Sequence, residues 1–202
     1  MSTLGLLEEP SREESRLKQI FWPTIKSAQD IDSLATQGFW ICLLIAILCL
    51  VVVSVSGQPV LAAWTATIFF LGGMGIRQTS VAAAVAIFLV YLFGKVSAVV
   101  IARGRGFGIL DFFVLAILLA NVRGTILASQ WKHDPAMQEE LALAPSRFNE
   151  TWRDRLCDQM PPRLWPWARY VFFLLVVTYM GLNAIGVGVL LAHRHSAAEA
   201  LR

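Results

Sequence analysis

The sequence predicts an all-α fold: a polytopic transmembrane helical bundle of about five spans, accompanied by one or two short interfacial amphipathic helices. Three observations carry this. Of 202 residues, 56% are hydrophobic and only 15% charged, whereas a soluble domain carries charge on roughly 25% of its residues. The apolar residues are gathered into runs of about 17 to 25, the length a helix needs to cross a hydrocarbon core of about 30 Å. Polar turns of a few residues separate several of these runs, and what is left of the polar sequence is too little to wrap five apolar helices in a soluble shell.

Residues 1–37 read as a polar arm on the cytoplasmic side. Ser11 and Glu14 have the spacing of a capping box, Leu17, Ile20 and Phe21 follow at helical spacing, and Trp22 and Pro23 close the segment. That pattern predicts a short amphipathic helix lying on the membrane, with Trp22 as an anchor at headgroup level. The N-terminal residues lack the basic and apolar regions of a cleavable signal, so the first span is expected to act as its own insertion signal.

The first span covers residues 38–56, and Gly57, Gln58 and Pro59 turn the chain into a second over 60–76. Gly72, Gly73 and Gly75 near its end are expected to let a neighbouring backbone come close. Residues 77–80 make another tight turn into a third span over 81–102, broken only by Lys95. The fourth, over 107–128, has Asp111 near its start and Arg123 near its end. Its uninterrupted apolar stretch is too short to span alone, so spanning requires Arg123 to snorkel to the interface as an anchor. A re-entrant or surface helix is the alternative.

A cytoplasmic loop over 129–167 follows. Phe148, Trp152, Leu156 and Met160 recur every fourth position, which predicts a second interfacial helix anchored by Trp152 and stopped by Pro161 and Pro162. Trp165 and Trp167 are expected at headgroup level, ahead of a fifth span over 168–192 and a short tail over 193–202. In that span Ala184, Gly188 and Ala192 form a small stripe suited to close helix packing, within the chain or against a partner.

With the N-terminus inside, the cytoplasmic face collects most of the Lys and Arg, chiefly in the arm and the long loop. The other face keeps mainly Arg103, Arg105, Arg194 and Arg202. Short loops and the missing signal point to a bacterial inner membrane.

Charges inside a bilayer are costly, which draws attention to Lys95 and Asp111. Both fall near the same end of adjoining spans, and the short turn at 103–106 makes those helices neighbours. An ion pair across this hairpin is expected, with Asn183 of the last span at similar depth. The cluster reads first as a device that fixes helix pairing and second as a polar path for an ion or proton.

Other chemistries find little support. The net charge of +3 comes without a basic stripe, so no nucleic-acid partner is expected. Cys42 and Cys49 lie about 10 Å apart along one helix face, too far for a disulfide, and Cys157 stands alone in the loop. His133, His193 and His195 all fall outside the spans, so neither an intramembrane haem nor a complete metal site is expected. No catalytic motif and no cofactor motif occurs. The expected partners are the lipid bilayer and other membrane subunits or further copies of the chain. A structural or accessory subunit of a membrane complex leads the functional readings. A small oligomeric transporter using Lys95, Asp111 and Asn183 comes next, followed by a head-group enzyme using Arg123, His133 and Asp134.

Overall fold

The computed structural model describes residues 28–102, 107–131 and 155–199. It is helical, with no strand among the described residues, and five of its helices are long and apolar enough to cross a membrane. They are α1 (Ala28–Val55), α2 (Pro59–Arg77), α3 (Val81–Ile101), α4 (Ile109–Trp131) and α5 (Met160–Glu199), the last preceded by a π-turn at Arg155–Gln159. The chain is thus a multi-pass membrane protein. α1 packs on α2, α2 on α3, α3 on α4 and α4 back on α1, which closes a four-helix ring; α5 lies outside it, against α2 and α3.

The helix ends follow from local chemistry. Pro59 opens α2 at a position where its missing N–H costs nothing and its fixed φ suits the helix. Ser80 caps α3, its Oγ accepting from the Ala83 N–H at 3.4 Å. α1 and α2 both end in the same double hydrogen-bond pattern. The Gly57 N–H donates to the Ser54 carbonyl and the Gln58 N–H to that of Val53; the Thr79 N–H donates to the Ile76 carbonyl and the Ser80 N–H to that of Gly75. This ending places one residue in the left-handed region. At Gly57, with φ +82°, no side chain resists it; at Thr79, with φ +53°, a β-branched side chain does. Thr79→Gly is therefore expected to raise stability by up to about 1 kcal/mol, read as a higher denaturant midpoint in detergent micelles.

One core runs through the ring and into α5. Phe39, Cys42, Ile68, Met74, Ile87 and Phe172 are almost wholly buried. Glycines make the close approaches. A methyl group on Gly38 would overlap the Asn121 amide, one on Gly72 would overlap Ile87, one on Gly73 would crowd the Cys42 Cβ, and one on Gly75 would overlap Ala83 and the Trp165 indole.

Several elements differ from the expected boundaries. α1 starts at Ala28 rather than at 38, because Leu34 and Ala35 are buried and Leu34 seats on Gly124 of α4. The fourth segment is one continuous helix of 23 residues, so it needs no re-entrant form to be long enough. Pro161 and Pro162 do not stop a helix: they sit in the first turn of α5, where proline is tolerated. Met160 opens that helix, and Leu156 belongs to the π-turn before it. α5 carries Pro166 inside it and continues past the expected end at 192 to Glu199, because residues 193–199 hold no glycine or proline; its 40 residues measure about 60 Å.

Trp165 is not a headgroup anchor in this fold. It is buried, with its ring 5.7 Å from that of Phe172, because Gly75 and Ala83 leave room for an indole. Trp167, two residues on, is 82% exposed. The small stripe of Ala184, Gly188 and Ala192 packs against nothing within the described residues: all three are exposed, and open space surrounds Gly188. Trp22, Phe148, Trp152 and nearly all of the two expected interfacial helices lie outside the described residues.

Candidate functional site: a saturated ion pair near one end of the bundle

α1 ends and α2 begins at the same end of the bundle where α3 ends and α4 begins; we call it the Gly57 end. Lys95 lies six residues before Ile101, the last residue of α3, about 9 Å along the axis. Asp111 is the third residue of α4. The structure brings them together, with Lys95 Nζ 2.6 Å from Asp111 Oδ1. Tyr91, one turn before Lys95 on the same face, donates its hydroxyl to the same oxygen at 2.8 Å. Its ring also lies under the ammonium, 5.5 Å from Nζ to centroid.

The other carboxylate oxygen is engaged locally. The Gly108 backbone N–H donates to Asp111 Oδ2 at 2.9 Å, so Asp111 reaches back as the third-position acid of a capping box. A carboxylate in the first turn also opposes the positive end of the helix dipole. One side chain thus ends a loop, starts α4 and ties α4 to α3. Three donors converge on this carboxylate, from an ammonium, a hydroxyl and a backbone amide. Such a closed set suits a fixed electrostatic lock better than a group that must release and accept ions in turn.

Asn183 does not join the pair. Its Nδ2 donates to the Tyr179 carbonyl at 2.9 Å, and its side chain lines a groove facing α2 instead. Nearby in sequence, Arg194 donates to the Val100 and Ile101 carbonyls at 3.0 Å each, so a cation from α5 caps the exposed C-terminus of α3.

At the opposite end, Arg77 pairs with Asp32 at 2.6 Å, joining the last turn of α2 to the first turns of α1. Asn121 is buried on α4 beside Gly38, its Nδ2 donating to the Ile117 carbonyl at 2.9 Å. Arg123 is half-buried two residues further on. His133 and Asp134, the other residues of the head-group reading, lie outside the described residues. Among the described residues no three His, Cys, Asp or Glu side chains gather as a metal would need.

Sequence reasoning passed over three of these partners. Tyr91 had a usable signal, four residues from Lys95 on one helix face. Asp32 was hidden because its segment reads as a polar arm, and Arg194 because it follows the last apolar run. No family model matches the chain, and no curated protein or solved structure matches it either.

Proposed function

We propose that the chain is a structural or accessory subunit of a membrane complex, with its N-terminus cytoplasmic and its home a bacterial inner membrane. The observation that supports this reading is the contrast between α2 and α5. Half of the apolar window of α2 is buried inside the chain, against 6% for α5. A helix held along one edge leaves Val177, Ile185 and Val189 facing outward, where a neighbouring subunit finds an apolar surface with small residues between the larger ones. The Lys95–Asp111 and Arg77–Asp32 ion pairs, by contrast, join helices to one another. Charge placement favours the orientation, because Arg77 and the loop after α4 share the N-terminal side.

Gentle detergent extraction followed by native mass measurement tests the reading. A complex of fixed stoichiometry with other subunits is expected, and Ile185→Trp with Val189→Trp should release the chain from it. A self-contained oligomer that conducts ions in liposomes, and stops doing so in Asp111→Asn, would replace this reading with transport.

A further inference from the structure

A groove of about 460 Å³ lies on the lateral surface at the Gly57 end, between the first turns of α2 and the C-terminal half of α5. Its volume falls within the roughly 300–1,000 Å³ of small-molecule sites. Val60, Leu61, Trp64 and Leu182 give it apolar walls, Tyr179 adds a phenol, and Gln58 and Asn183 add two amides; among the described residues no charged one lines it.

The polar end of this groove offers hydrogen-bond donors. Pro59 has no N–H, Gln58 makes no side-chain cap, and the first bond of the helix runs from the Ala62 N–H to the Gln58 carbonyl. The Val60 and Leu61 N–H groups therefore have no acceptor within the helix. α2 is 19 residues long, about 28 Å, so a bilayer core of about 30 Å puts this first turn at the hydrocarbon boundary. Unfilled N–H groups at that depth call for an acceptor that the hydrocarbon cannot supply.

Among the described residues the groove is lined by the turn after α1, the start of α2 and α5.

We infer that the groove holds a glycerolipid of the surrounding bilayer. Its ester carbonyl oxygens accept from the Val60 and Leu61 N–H groups and from the Gln58 and Asn183 amides. Its acyl chain lies along Trp64 and Leu182. Carbonyl esters sit at the boundary depth of this turn, they are uncharged like the lining, and they bring the acceptors that the helix end lacks.

The test uses the full chain in phosphatidylethanolamine and phosphatidylglycerol vesicles that carry a trace of lipid with a photoreactive acyl chain. After illumination, adducts are mapped by peptide mass. Adducts on residues 58–64 and 179–183 are expected at about tenfold the level on the exposed face of α1 at Leu44, Leu48 and Val51. Leu61→Trp and, separately, Leu182→Trp should abolish the enrichment while leaving α1 labelling unchanged. Even labelling of all exposed apolar faces would mean annular lipid alone and would overturn the site. So would a groove shielded from label by a second copy of the chain, seen as a dimer by mass. The parent pattern decides the matter even if neither variant folds.

Discussion

Gly75→Ala is expected to lower stability by about 3 kcal/mol, read as the loss of denaturant midpoint in micelles. The added methyl would overlap the Cβ of Ala83 and the ring edge of Trp165. Neither gives way easily, because Ala83 is tied to the α3 backbone and the indole is packed against Phe172. Overpacking of this kind costs about 1–3 kcal/mol, and a contact with backbone-fixed atoms belongs at the upper end. Adding Ala83→Gly reopens part of the space and should restore about half of the loss. Gly188→Ala is the matching control. Open space surrounds that position, so only helix propensity acts, and a gain of up to about 1 kcal/mol is expected. Equal stability of Gly75→Ala and the parent would mean that α5 is not seated at the α2–α3 corner.

Asp111→Leu should cost about 2–3 kcal/mol and loosen the α3–α4 hairpin, seen as faster hydrogen exchange in the first turn of α4. The substitution removes the acceptor of Lys95, Tyr91 and the Gly108 amide at once. What remains is an ammonium in an apolar helix without its counter-ion. Breaking a fully buried pair costs about 3–5 kcal/mol; the Lys95 side chain keeps 31% of its exposure, so it can turn toward the boundary and recover part of that. Lys95→Met alone should cost less, since the carboxylate retains two donors. The double variant Lys95→Met with Asp111→Leu should lose less than the two single losses added together. Strict additivity would show that the two side chains do not act on one another.

These two sites differ in how far the sequence exposed them. Lys95 and Asp111 were legible because an intramembrane charge is rare and a four-residue turn forces the two spans together. The capping role of Asp111 was legible in principle, yet the cost of its charge drew attention away from its position in the first turn. The glycines of α2 announced close packing, but not what they pack against. Trp165 illustrates why: a tryptophan near a span end usually marks an interface, and only the space left by Gly75 and Ala83 draws it inward. Asn183 shows the reverse limit. Depth along a helix follows from counting residues, whereas rotation about the axis depends on packing partners that the count does not contain. The same limit applied to Ala184, Gly188 and Ala192, whose spacing says that they share a face but not which way it looks.

The closed circuit of α1 to α4 has a consequence for how the protein is made. Every contact of that circuit is available before the final helix leaves the ribosome, so the first four spans have one another while the last is still being synthesised, and only the corner of α2 and α3 that receives α5 stays open. Docking of α5 then becomes a separate late event. Two aromatic rings seat its first turns, Trp165 entering beside Gly75 and Phe172 beside Gly72, and Arg194 fastens its far end to the α3 carbonyls. Maturation of the chain should accordingly be most sensitive at those seats, and tolerant on the outward face of that helix.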